Sequence, residues 1–223
     1  MPRRQLLIQF KKHSRDRDFF QQGQILFTLA SELVSEPHDT LVWQVFDIPR
    51  YYESGIVLNW DSSWLTVGTA KTNQQRVVDA DVYRVVPDGH STALTNNLSW
   101  TVPTLSNEDT PCSVTAANET MSEQSLFIGT TLVRQGDHTI SPLPFSLLER
   151  VRPSKPVMVK NLLRLKAYFT RGRTVEVGKR LSHFNCVPLL DECGVQWSTL
   201  TDDLRKIHHA GKSGPLKSGP GPS

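Results

Sequence analysis

The chain has 223 residues, 38% of them apolar and 21% charged, which is enough to build a core and too apolar for a disordered polyampholyte. Its 25 basic and 22 acidic residues leave a net charge of only +3, and no apolar run approaches the roughly 20 residues of a membrane-spanning helix. Thirteen Gly, three Cys and no heptad pattern exclude collagen, a disulfide scaffold and a coiled coil.

Residues 1–18 carry Arg3, Arg4, Lys11, Lys12, Arg15 and Arg17 against Asp16 and Asp18, a net +4 that predicts a basic arm. Between these charges stands only Gln5-Leu6-Leu7-Ile8-Gln9-Phe10, shorter than the apolar stretch of a signal peptide and without a small-residue cleavage site. Gly does not follow Met1, so no myristoylation signal is present. The expectation is a cytoplasmic or nuclear protein, or a virion component, and not a secreted one. The widely spaced Cys112, Cys186 and Cys193 agree with a reducing compartment. The sequons Asn97-Leu98-Ser99 and Asn118-Glu119-Thr120 then read as chance.

One domain is expected over residues 19–210. Within 19–36, Ile25, Leu26, Leu29 and Leu33 recur near the helical period and predict a helix ended by Pro37. Val, Thr, Trp and Tyr then dominate short runs, which predicts strands over 40–48, 55–60, 64–69, 76–86 and 93–102. Pro87-Asp88-Gly89 is turn chemistry and is expected to join the last two as a hairpin. Residues 103–124 are polar and aperiodic and read as a long exposed loop. A strand is expected over 125–133, and an extended or turning segment over 141–156, which holds Pro142, Pro144, Pro153 and Pro156.

In residues 157–170, Val157, Val159, Leu163, Leu165, Ala167 and Phe169 alternate with Lys160, Arg164 and Lys166. Met158, Leu162 and Tyr168 interrupt the basic side. A strand keeps the basic residues together, whereas a turn of about 100° per residue scatters them. A short helix is expected over 201–210, with Thr201 as cap, Asp202 and Asp203 at its positive end, His208 and His209 at its negative end, and Gly211 as stop. Residues 211–223 are nearly all Gly, Ser, Pro and Lys and read as a flexible tail. The expected class is α+β: a mainly antiparallel β core with an N-terminal helix and a short C-terminal helix.

Charge is unevenly distributed. Residues 19–149 hold five basic against fifteen acidic residues, a net −10, and residues 150–186 hold ten basic residues against Glu176 alone, a net +9. Either the basic strip packs on the acidic body, or it meets a polyanion. RNA, a ribonucleoprotein or an anionic membrane each gain affinity from local positive potential. The candidate polyanion-binding residues are Lys160, Arg164, Lys166, Arg171, Arg173, Lys179 and Arg180, with the 1–18 arm as a second basic element. Tyr168 is the one aromatic residue placed among them for base stacking.

Catalytic signatures are sparse. Phosphate-binding glycine loops, a G-x-S-x-G elbow and H-E-x-x-H are absent. His183, Cys186 and Cys193 lack the paired spacing and fourth ligand of a zinc site, and no cofactor is expected. Asp79 and Asp81 stand two apart, on one face of a strand, where paired carboxylates serve acid–base work or the solvent face of a hairpin. Pro153-Ser154-Lys155-Pro156 has the spacing of a polyproline ligand, and more simply a rigid approach to the next strand. The expectation is a non-enzymatic assembly protein that binds a polyanion and self-associates, with the physical profile of a viral matrix protein. A coat- or movement-type RNA-binding protein, a cytosolic adaptor and a divergent enzyme using Asp79 and Asp81 are the alternatives.

Overall fold

A computed structural model describes residues 3–10, 23–33, 38–51, 55–61, 63–73, 76–79, 82–106, 113–133, 140–171, 174–191 and 206–210. In chain order the strands are β1 (Arg3–Phe10), β2 (Gly23–Leu33), β3 (Asp39–Thr40), β4 (Gln44–Asp47), β5 (Ile56–Asp61), β6 (Trp64–Thr69), β7 (Lys71–Asn73), β8 (Arg76–Asp79) and β9 (Tyr83–Pro87). They continue as β10 (His90–Leu94), β11 (Thr104–Leu105), β12 (Ser113–Asn118), β13 (Gln124–Val133), β14 (Ile140–Val151), β15 (Pro156–Arg171), β16 (Val187–Asp191) and β17 (Lys206–Ala210). Helical backbone among the described residues is limited to α1 (Ile48–Tyr51) and a 3-10 turn at Leu181–His183.

Two sheets enclose the core. The first runs β11-β10-β12-β15-β2-β4, with β16 beside the far half of β15; the second runs β3-β14-β13-β6-β9. A small sheet β17-β1-β5 and the β7-β8 hairpin complete the set. Pairing is antiparallel except between β10 and β12 and between β1 and β17. One buried cluster draws on both large sheets: Ile25, Phe27, Val114, Leu163, Leu165 and Phe169 from the first, Leu65, Val67, Leu126, Ile128, Phe145 and Leu148 from the second. Inside it the Trp43 indole N–H donates to Thr130 Oγ1 at 2.9 Å, so the largest buried ring has its polar atom satisfied.

The mainly antiparallel β core stands, and several local expectations are corrected. The helix expected over 19–36 is strand β2 in its described part. Ile25, Phe27 and Leu29 enter the main core, and Leu26 on the opposite face is buried as well. A strand buried on both faces loses polar alternation, so its apolar spacing fits a helix and a strand alike. Pairing decides: β2 runs antiparallel to β15 from Leu33 opposite Val159 to Gly23 opposite Arg171. The C-terminal helix is overturned over 206–210, where β17 lies parallel to β1 with Lys206 opposite Leu6 and Ala210 opposite Phe10. A ten-residue helix is marginal without a packed face, and a partner strand outweighs its caps. Residues 201–205 and the 211–223 tail lie outside the described residues.

The hairpin expected between 76–86 and 93–102 does not form. β9 pairs with β6 in the second sheet, and β10 pairs with β11 and β12 in the first. Pro87-Asp88-Gly89 is a turn, but one that carries the chain from one sheet to the other. Gly89 sits there at φ +74°, its N–H donating to the Ser113 carbonyl at 2.7 Å. The predicted strand 93–102 contains a tight turn of its own: Leu98 N–H donates to Thr95 O, and the chain doubles back so that Leu94 bridges Trp100. The expected loop over 103–124 holds β11 and β12, and β12 lies between β10 and β15. Its Ser113-Val114-Thr115-Ala116-Ala117-Asn118 run is too small and polar to signal burial, yet Val114, Ala116 and Asn118 are buried.

The extended segment over 141–156 is largely β14, a strand of 12 residues. Along Pro142 and Pro144 it pairs with β13 alone among the described pairings, because β3 reaches only Ser146 and Leu147. A prolyl nitrogen on the open side leaves the ladder intact.

Candidate polyanion-binding face and the adjoining cleft

β15 extends the alternation read from sequence across the whole first sheet. Val157, Val159, Leu163, Leu165, Ala167 and Phe169 all enter the core. Lys160, Arg164, Lys166 and Tyr168 therefore share the outward face. Arg164 is exposed, and Lys160, Lys166 and Tyr168 are half-buried. Their register neighbours are small or acidic: Ala30 stands opposite Arg164, Thr28 and Asp191 flank Lys166, and Ser113 and Glu32 flank Lys160. Acidic chain thus returns beside the basic strand at two places, so the sequence segregates charge more sharply than the sheet does.

The other basic candidates are not in this row. Arg171 closes β15 at odd parity, in unbroken register with β2 from Arg164 onward, so it belongs to the opposite side of the strand and is exposed at its end. Lys179 Nζ lies 3.8 Å from Glu176 Oε2. Arg180 binds two carboxylates, Asp39 Oδ2 at 3.2 Å from its Nε and Glu149 Oε1 at its Nη2, and ties β3 to β14. Within the arm, Arg3 and Arg4 start β1, opposite Asp61 and Trp60. Arg173, Lys11, Lys12, Arg15 and Arg17 lie outside the described residues.

At the far end of the face, residues 174–186 fold back over the sheet. Val42 and Val175 pack with Leu26, and Val45, Tyr168, Leu181, Phe184 and Cys186 surround them. The Val42 N–H donates to the Lys179 carbonyl and the Gly178 N–H to the Val42 carbonyl, both at 2.8 Å, fixing the segment against the link between β3 and β4. Between this segment and β3 opens a cleft of about 390 Å³, lined by His38, Asp39, Thr40, Tyr168, Leu181, Ser182, Phe184 and Cys186. The volume falls within the range of small-molecule sites. Of these residues the sequence singles out Tyr168 and Cys186. The others come from separate segments of unremarkable composition, and no local pattern announces their meeting.

The cleft holds a thiol, an imidazole and a carboxylate, but burial pushes the Cys186 thiol above its ordinary value, away from the thiolate that nucleophilic chemistry requires. No group of three or more His, Cys, Asp or Glu is placed to hold a metal among the described residues. Asp79 stands on β8 opposite Lys71, and Asp81 lies outside the described residues. Pro153 and Ser154 form a tight turn between β14 and β15, with the Ser154 N–H donating to the Asn118 carbonyl at 2.6 Å, so the PxxP spacing serves a sheet-to-sheet connection. Comparison with known proteins finds no matching family model, no matching curated protein and no matching solved structure.

Proposed function

We propose that this chain is a non-enzymatic structural protein that binds the phosphate backbone of single-stranded RNA along the outward face of β15 and self-associates, in the manner of a matrix-, coat- or movement-type protein. The observation that carries the reading is the row Lys160, Arg164 and Lys166 on one face of a strand whose other face places Val157, Val159, Leu163, Leu165, Ala167 and Phe169 in the core. Three cations on a rigid sheet form a positive track that carries no base information. Arg164, whose register partner on β2 is Ala30, is the exposed member of the row.

Three phosphate contacts give a log–log salt slope of about −2 for a single strand, from about −0.7 per contact. Replacing Lys160, Arg164 and Lys166 together with Gln is expected to flatten the slope and weaken binding equally for all RNA sequences. Titration of a fluorescent oligoribonucleotide across a salt series reads both quantities. A folded triple variant that binds as wild type does overturns the reading. So does a wild type that ignores RNA but sediments with anionic vesicles, where each basic residue near the surface contributes about 1 kcal/mol.

A further inference from the structure

The outward row of β15 does not end at Lys166. Tyr168 is the next residue on the same face, about 7 Å further along a strand of standard rise, and it forms a wall of the 390 Å³ cleft. The cleft has a second aromatic wall, Phe184, and apolar flanks from Leu181 and Cys186. Its remaining lining is polar: His38, Asp39, Thr40 and Ser182. Asp39 is held by Arg180 through Oδ2, and its side chain stays 40% exposed. A flat π surface beside a positioned carboxylate, an imidazole and two hydroxyls is the equipment that reads an unstacked base, with stacking on its face and hydrogen bonds on its edge. A carboxylate accepts from exocyclic amino groups and is repelled by the two carbonyl oxygens that flank the single ring N–H of uracil.

We infer that this cleft is a nucleobase-binding pocket that takes one unstacked base of the RNA whose backbone lies along Lys160, Arg164 and Lys166. The inference rests on the RNA-binding reading above and adds to it a base-dependent component with preference for bases that carry an amino group, adenine, cytosine and guanine over uracil. The cation row positions the strand, and at its end the cleft brings aromatic and hydrogen-bonding side chains together.

The test compares an oligoribonucleotide with one of equal length and charge in which a single central nucleotide is abasic, and follows 2-aminopurine fluorescence at that position. The intact strand is expected to bind about tenfold more tightly, the scale of one base–aromatic stack, with 2-aminopurine quenched on binding. Tyr168→Leu and Phe184→Leu are expected to abolish the difference and leave the salt slope unchanged. Because Tyr168 also packs against the sheet, Ser182→Leu, an exposed change that fills the cleft, serves as the independent variant and is expected to do the same. Equal affinity for the intact and abasic strands, at an unchanged salt slope, overturns the pocket and leaves the backbone reading standing. Loss of binding to both strands in wild type removes the backbone reading and the pocket together. A quenched base that is indifferent to Ser182→Leu in a folded variant places the base elsewhere and also overturns the pocket.

Discussion

Asn118 shows how much a single buried amide can hold. It is fully buried; its Nδ2 donates to the Ser122 carbonyl at 2.9 Å and the Val151 carbonyl at 2.8 Å, and its Oδ1 accepts from the Thr120 N–H at 3.0 Å and hydroxyl at 2.8 Å. The sequon asparagine is therefore a structural tie between β12 and β14, with no amide hydrogen left for a glycan. Asn118→Asp places an oxygen against two carbonyls and is expected to cost at least about 3 kcal/mol at neutral pH. Burial raises the carboxyl of that variant above its unfolded value, so its stability rises as pH falls and the protonated acid regains a donor. Urea titrations across pH check both the loss and its sign. Two glycines separate strain from collision. A Cβ at Gly89 meets nothing within 4 Å, and only its φ of +74° opposes substitution, so Gly89→Ala is expected to cost about 1 kcal/mol. A Cβ at Gly129 would lie 2.5 Å from the Leu143 carbonyl oxygen, which belongs to the backbone of the paired strand, and Gly129→Ala is expected to cost about 3 kcal/mol. Equal melting shifts for the two would contradict the sheet packing described.

At the scale of the element, β15 does most to organise the molecule. It carries β2 along one side and β12 and β16 along the other, with Val157, Val159, Leu163, Leu165, Ala167 and Phe169 in the core. Its register with β2 skips between Lys160 and Arg164, where β15 places residues 161–163 against Ser31 alone. An irregularity of two extra residues preserves parity, so the outward row stays outward on both sides of it. The consequence is a sharp contrast between adjacent residues. Leu165→Ala is expected to lose about 2–5 kcal/mol through transfer and cavity terms, and Lys166→Ala to stay within about 1 kcal/mol, as exposed or partly exposed charges do. Chemical denaturation of the two variants checks the alternation, and comparable losses would refute it.

At the scale of the molecule, the −10 body and the +9 segment of the sequence are brought together in space. Arg180 pairs with Asp39 and Glu149 of the acidic body, and the register sets Glu32 beside Lys160, whereas the Lys179–Glu176 pair lies within the basic segment and Asp191, beside Lys166, lies beyond both. What remains outward on β15 is the exposed Arg164 with its half-buried neighbours. If assembly is driven by unlike charges on neighbouring copies, self-association is expected to strengthen with protein concentration and weaken as salt rises past the point where the screening length falls below about 10 Å. Sedimentation velocity over a concentration and salt series reads this directly. A monomer at every salt concentration overturns self-association without touching the RNA-binding prediction.

The sequence by itself determined the β15 alternation, the exact span of β6, the turn at Pro87-Asp88-Gly89 and a mainly β core. Each of these is local: a period of two, or a turn residue with a required backbone angle, is written within a few adjacent positions. Only the tertiary structure decided that residues 23–33 are a strand, because Ile25, Leu26 and Phe27 are buried on both faces and such a run carries no period of its own. The same holds for β12, whose small residues are interior through their neighbours, and for the turn after β9, which changes sheets where its composition suited a hairpin. The cleft is the extreme case. Its lining joins residues 38–40 to Tyr168 and residues 181–186, more than a hundred residues further along the chain, and their convergence depends on strand pairing that no local pattern encodes.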